Sequence, residues 1–139
     1  MADAVVDASV WVSRLLTLDS HHARSRSWLD RRMAEGALLV APALMPPEVA
    51  GAIARRTGKA TLATRAVEEL LRLPALRVVS LDEDLAGLAA SLAARLALRG
   101  ADAVYVAVAH RLGLPLVTWD REQRERAAAL IDVGPAYPA

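Results

Sequence analysis

The chain contains no cysteine, which excludes a disulfide framework and any thiolate metal site. That absence fits a reducing, cytoplasmic compartment. No apolar run approaches the roughly 20 residues needed to span a bilayer. No signal-peptide pattern opens the chain either: MADAVVDASV starts directly with a strand-like segment. A membrane partner is therefore not expected. Surplus charge of one sign is missing too. The formal net charge is +1, so bulk charge does not announce a nucleic-acid binder. Lysine is nearly absent, with Lys59 the only one among a basic set that is otherwise arginine. Arginine suits bidentate phosphate contacts, although a GC-rich genome would produce the same bias. No internal repeat, low-complexity tract or linker is visible.

At 139 residues the natural domain count is one, spanning the whole chain. A chain of this size buries roughly two-thirds of its unfolded surface and needs no staple. The composition is 55% hydrophobic, dominated by alanine and leucine, which argues for a helix-rich globule. Short β-type runs alternate with helical stretches. AVVDASV, ALLVA, LRVVSL and LPLVTW read as strands, and IDVG as a possible edge strand. A helix capped by Asp19 or Ser20 runs to about Glu35 and stops at Gly36. Pro46-Pro47 opens another that carries Glu48, since proline is tolerated in a first turn. Gly58 ends it, and KATLATRAVEELLRL continues as helix to Pro74. DEDLAGLAASLAARLALRG is a long helix with acids at its start and arginines near its end, as the macrodipole favours. The next helix starts near Asp102, and DREQRERAAAL forms the last. The closing GPAYPA reads as a loose tail. Strands separated by helices imply βαβ connections, hence an α/β fold with a parallel sheet covered on both faces.

In open α/β sheets, sites form outside the carboxyl ends of the strands. Asp7 follows Val5-Val6, and Asp120 follows Val117-Thr118-Trp119, so both emerge near that edge. Glu48 and Asp102 lie in first turns of helices, which begin at the same edge. Each acid has a structural explanation when taken alone. Glu48 and Asp102 complement helix N-termini, and Asp120 serves as an N-cap. Asp7 is harder to dismiss, because an aspartate embedded in VVDASV sits in a strand it disfavours. Convergence changes the weighing. Two carboxylates about 6 Å apart repel by roughly 3 kcal/mol at an effective dielectric of about 20. Four together exceed what a marginally stable domain tolerates without compensation. Protonation would relieve them, as would a divalent cation. Hard oxygen donors without a Cys or His cluster select Mg²⁺ or Mn²⁺ over zinc. Such sites suit phosphodiester hydrolysis, where metal ions activate water and stabilise the leaving oxygen.

Three stretches, VVDASV, APALMPPEVAGAI and RGADAVYVAVAHRLGLPLVTWD, together resemble the PIN-domain ribonucleases, specifically VapC-type toxins. The resemblance runs in order over essentially the whole chain, and the third stretch is its most specific part. It implies a three-layer α/β/α sandwich with a central parallel β-sheet. It also implies a Mg²⁺- or Mn²⁺-dependent endoribonuclease acting on RNA, usually a homodimer, and neutralised by a small antitoxin. Carried over by position, the four acids are Asp7, Glu48, Asp102 and Asp120, with Ser9 and Thr118 at the hydroxyl positions beside the first and last. The sequence departs from the pattern at Gly51, where many relatives carry asparagine, and at Glu122 and Gln123, which make a fifth acidic ligand doubtful.

On this footing Asp7 is the expected hub, with Asp102 its closest partner and Asp120 completing a first metal site. Glu48 holds the outer side or a second metal. Ser9 and Thr118 orient carboxylates or are ordinary strand-end hydroxyls. Arg55, Arg56, Arg121, Arg124 and Arg126 are candidates for holding RNA phosphates, against a solvated helix face in which Glu122 and Arg126 pair at i,i+4. His21 and His22 are read as surface residues at a helix start. Trp11 and Trp28 are read as packing. Trp119 could stack a base, but core or dimer packing explains it better. LLTL and WLDRRM offer either apolar surface for an antitoxin helix or core.

Other classes remain open. A phospho-acceptor receiver domain also gathers acids at a sheet edge around Mg²⁺, but it wants a late-strand lysine and adjacent first acids, whereas Lys59 falls between helices and Asp7 stands alone. A haloacid-type phosphatase wants a second aspartate where Ser9 stands. A PIN-like RNA-processing nuclease that is not a toxin, and a non-catalytic binding protein that retains the acids, also remain.

Overall fold

The computed structural model describes residues 3–136. Five short parallel strands, β1 (Ala4–Val6), β2 (Leu39–Pro42), β3 (Leu76–Val79), β4 (Leu116–Val117) and β5 (Val133–Gly134), form one sheet in the order β3-β2-β1-β4-β5. Seven helices connect them: α1 (Ala8–Leu15), α2 (His22–Ala34), α3 (Met45–Thr57), α4 (Ala60–Leu71), α5 (Glu83–Leu96), α6 (Gly100–Leu112) and α7 (Arg121–Ala127). The order runs outward from β1 to β3, then crosses back to β4 and on to β5. With right-handed crossovers, that reversal puts α1–α4 on one face and α5–α7 on the other. The helix contacts agree: α1 packs on α2 and α3, α3 on α4, and α5 on α6. This is the expected α/β fold with a central parallel sheet.

The sheet sits under α6, which touches β1, β2 and β4. Its stretch from Ala103 to Ala109 is buried without a break, as a helix must be when it lies between a sheet and another helix. Strands β1 and β2 are buried at every residue, the pattern of a doubly covered parallel sheet. Where the strand order reverses, between β1 and β4, two connections leave in opposite directions. That divergence opens a crevice at the strands' carboxyl ends.

Three expectations are corrected. The stretch ASVWVSRL after Asp7 is helix α1, not the tail of a strand. Its apolar residues follow helical spacing, and Val10, Trp11 and Val12 face the core. Asp7 is therefore not embedded in a strand but caps that helix, a position aspartate favours. The second helix starts at His22, with Asp19 accepting the His21 N–H at 2.8 Å in the approach to it rather than capping it. The GPAYPA tail is tied down over part of its length: Gly134 belongs to β5 and Ala136 is fully buried, while Tyr137, Pro138 and Ala139 lie outside the described residues. LLTL and WLDRRM divide. Trp28 and Leu29 are core, whereas Leu18 is 98% exposed.

The end of α5 stores backbone strain. Ala97 adopts φ 54° and ψ 41° at its C-cap, a left-handed conformation costing a residue with a Cβ about 1–2 kcal/mol. Glycine removes that cost while adding roughly 0.4–1 kcal/mol of unfolded-state entropy. Ala97→Gly is expected to raise the urea unfolding free energy by about 0.5–1 kcal/mol, and a decrease would refute the strain.

Candidate active site

The crevice is built from strand ends. Asp7, directly after β1, is buried, and its backbone N–H donates to the Val117 carbonyl of β4 at 2.9 Å. Its Oδ2 accepts the Ser9 N–H at 3.0 Å and the Thr118 hydroxyl at 3.1 Å. Thr118 has one proton, and Asp7 receives it. The 3.3 Å contact between Ser9 Oγ and Thr118 Oγ1 therefore has Ser9 as donor. Ser9 Oγ in turn accepts the Trp119 N–H at 3.1 Å, and Thr118 Oγ1 accepts the Asp120 N–H at 3.0 Å. Two hydroxyls thus lock the ends of β1 and β4 together and aim one carboxylate.

The other acids arrive from helix starts. Glu48 stands in the first turn of α3, and its Oε1 accepts the Tyr105 hydroxyl at 2.8 Å. Tyr105 is fully buried in α6, three residues after Asp102. Asp102 lies in the first turn of α6. Asp120 caps α7, with its Oδ1 accepting the Gln123 N–H at 3.0 Å. Gln123 is fully buried, and its side-chain amide donates to the Asp102 carbonyl at 3.2 Å, so one glutamine bridges the Asp120 carboxylate and the Asp102 backbone. Tyr105 and Gln123 escaped the sequence reading. Tyr105 looks like core in YVAV, and only its i+3 spacing from Asp102 hints that it shares a helix face with an acid.

A cavity of about 400 Å³ gathers Asp7, Ser9, Glu48 and Asp102 with Arg55, Arg56, His21 and Trp119. Asp120 is outside its lining but close enough for its charge to act on Asp7 and Asp102. Burial raises the Asp7 carboxyl, outweighing the hydrogen bonds from Ser9 and Thr118, and the Asp120 charge adds to the rise. Burial also raises Glu48, against the Tyr105 hydrogen bond, with Asp7 and Asp102 pushing the same way. Asp102 is pushed up to about 6 by burial, then by Asp7 and Asp120, with Arg99 opposing. Burial, then the Asp7 and Glu48 charges, drive the Tyr105 hydroxyl far above its usual range, so it remains a proton donor to Glu48. Three carboxyls are thus held against their charge in one crevice.

The arginines divide. Arg56 pairs with Asp19 at 2.8 Å on the cavity wall. Arg55 leans back along α3, and a Cβ at Gly51 would stand 3.1 Å from its Nη1. The space beside Gly51 is therefore taken by a guanidinium. Arg121 pairs with Glu125 and Arg126 with Glu122 along α7, while Arg124 donates to the Thr118 carbonyl at 3.0 Å. None of these three lines the cavity.

Among the described residues, no group of three or more His, Asp or Glu side chains is arranged to hold a metal ion. The donor chemistry nonetheless suits one. The available ligands are carboxylate oxygens, which hard divalent cations prefer, and three of them are short of positive charge.

The PIN domain profile matches residues 4–129, and the chain belongs to the PIN-domain family. No curated protein matches it in sequence. Among solved structures, it is similar to Mycobacterium tuberculosis VapC20, a sarcin-ricin loop cleaving toxin. That match has 22% identity, covers 91% of this chain and 95% of that one, and has a TM-score of 0.73. A toxin–antitoxin complex from Klebsiella pneumoniae matches at 16% identity over 99% and 100% of the two chains, TM-score 0.68. DNA-bound VapBC from Salmonella typhimurium matches at 16% identity over 98% and 99%, TM-score 0.74. These structural neighbours thus include a VapC toxin and a toxin–antitoxin complex. Family membership sets aside the receiver and haloacid readings. Consistently, Lys59 lies between α3 and α4 and not on a late strand.

A carboxyl raised in the folded state favours folding while protonated, and that contribution is lost as pH rises through its folded value. Without divalent cations, the Asp102 contribution to thermal stability should fall between about pH 4 and about pH 7. Asp102→Asn should flatten the pH dependence of the melting temperature in EDTA. Mg²⁺ should raise the wild-type value more at neutral pH than at pH ~5. A wild-type midpoint in EDTA that climbs across this window as steeply as the variant's would contradict the crowding.

Proposed function

We propose that this chain is a Mg²⁺- or Mn²⁺-dependent endoribonuclease and the toxin half of a toxin–antitoxin pair, acting in the cytoplasm. The observation that carries the reading is the crowding of Asp7, Glu48 and Asp102 in one crevice at the strand-order reversal, each raised by burial and by its neighbours. Such a site is stable in the charged state only with a cation present. Asp7, Asp102 and Asp120, with Glu48, would hold Mg²⁺, which when bound supplies Lewis-acid polarisation and acidifies water.

The chain's own groups do the positioning. Asp7 is aimed by Ser9 and Thr118, so its carboxylate sits on a strand end that cannot easily move. The buried Tyr105 hydroxyl holds Glu48. Gln123 bridges the Asp120 carboxylate and the Asp102 backbone carbonyl. Arg55 and Arg56 bring positive charge to an otherwise acidic crevice, where RNA phosphates need it. Arg121 and Arg124, on α7, would contribute to RNA binding only along its flank.

An antitoxin partner is supported by a structural neighbour that is a toxin–antitoxin complex and by an apolar patch in which Leu15, Leu16, Leu18 and Leu62 line one cavity. A homodimer rests on the resemblance alone. Among the described residues no helix is long and apolar enough to cross a membrane.

Asp7→Asn should abolish Mg²⁺-dependent cleavage of RNA, a loss of at least about 10³-fold for an essential electrostatic group, with the circular dichroism spectrum unchanged. EDTA should do the same to the wild type. Full cleavage by the variant, or cleavage in EDTA, would sink the assignment.

A further inference from the structure

Two aromatic rings stand over the acidic crevice in an arrangement that the carboxylates do not require. The His21 imidazole stacks on the Trp119 indole with centroids 3.9 Å apart and planes 10° from parallel. His21 precedes α2 and Trp119 follows β4, so elements far apart in sequence supply the pair. Both rings line the same cavity as Asp7, Glu48 and Asp102. His21 is half-buried.

The pair is held in place from several directions. Trp119 Nε1 donates to Ser25 Oγ at 2.7 Å, and Ser25 lies 2.6 Å from Ser13 Oγ, which donates to the Val10 carbonyl. Ser13 spends its proton on Val10, so Ser25 donates to Ser13 and the chain of donors runs one way from the indole into the core. Ser13 and Ser25 are both buried. Trp119 N–H donates to Ser9 Oγ, while Ser9 N–H donates to Asp7. Ser9 therefore links the Trp119 backbone to the central carboxylate. At the other residue, the His21 backbone N–H is held by Asp19, and Asp19 by Arg56. Despite partial burial, those two partners keep the Asp19 carboxyl below its usual range, so the anchor stays charged at neutral pH.

A flat ring fixed over a polar crevice suits a flat ligand. Base–aromatic stacking needs only a rigid π-face, and every nucleobase supplies the other half. The cavity, about 400 Å³, is on the scale of a site for one small ligand. Arg55, lying over Gly51 on the same helix as Glu48, places a phosphate-binding cation in the same cavity. We propose that the His21–Trp119 stack is a nucleobase platform. A base of single-stranded RNA extends the stack on the cavity face of His21, and its phosphate lies between Arg55 and the carboxylates. This deepens the ribonuclease reading and rests on it for the substrate. His21 then acts as a positioning residue that selects unpaired RNA, because a base held in a duplex cannot leave its own stack without cost.

The test compares full-length wild type, His21→Ala and His21→Phe in two arms. In EDTA, equilibrium binding is measured for fluorescein-labelled hexauridylate and for an abasic ribose-phosphate hexamer of equal charge. Wild type and His21→Phe should bind hexauridylate about tenfold tighter than the abasic chain, and His21→Ala should lose that ratio. In Mg²⁺, His21→Ala should raise KM for a single-stranded oligoribonucleotide about tenfold, with kcat within about twofold. Circular dichroism melts confirm that each variant is folded. Equal binding of both hexamers by wild type overturns the platform, as does a ratio that survives in His21→Ala or is lost in His21→Phe. Base-dependent binding through His21 without any cleavage supports the platform and sinks the ribonuclease reading. Cleavage with base-independent binding does the reverse.

Discussion

Repulsion between carboxylates in a half-dry crevice is the constraint around which this structure is arranged. Asp7, Glu48 and Asp102 each lose solvation on folding; Asp7 raises the proton affinity of Glu48 and Asp102, and Asp102 that of Glu48. Nothing in the packing of a hydrophobic core asks for this. At an effective dielectric of about 20, every close pair costs on the order of a few kcal/mol, against a folding free energy of only about 5–15 kcal/mol. The sheet tolerates the cost because its reversal at β1 and β4 leaves the acids at a rim, where protons or cations can reach them.

Much of the nearby polar structure serves to keep the acids where they are. The Ser9 backbone N–H and the Thr118 hydroxyl both donate to one oxygen of Asp7. Tyr105 cannot easily ionise beside Asp7 and Glu48, and therefore donates. Gln123 is buried, with its backbone N–H on the Asp120 carboxylate and its side-chain amide on the Asp102 carbonyl. Asp120 shows that structural and functional explanations need not compete. It caps α7 as an ordinary N-cap does, yet its charge still bears on Asp7 and Asp102. The same economy applies to Trp119, whose backbone N–H supports the hydroxyl network while its ring supports His21.

The positive side of the crevice is equally particular to this chain. Gly51 leaves room for the Arg55 guanidinium, and Asp19 holds Arg56 against the wall. On α7, by contrast, Arg121 and Arg126 are engaged with glutamates one turn away. Arginines that look alike in sequence thus differ in what remains available for phosphate.

How much of this was legible without coordinates follows the range of the forces involved. Alternation of β-branched runs with helical stretches, prolines before Glu48 and the glycines at 36 and 58 are local signals, and they determined the α/β class, the ends of α2 and α3 and the placing of four acids near strand ends or helix starts. Helix α1 was hidden because VVDASV has the β-branched look of a strand, while the cap that starts the helix is a single side-chain contact. Only the tertiary structure decided which partners each acid meets: the Tyr105 hydroxyl on Glu48, the indole under His21, and the guanidinium in the gap at Gly51. Those contacts join residues distant in the chain or depend on a side chain's direction. Burial and hydrogen bonding act through space, over a few ångströms, with no regard for sequence separation.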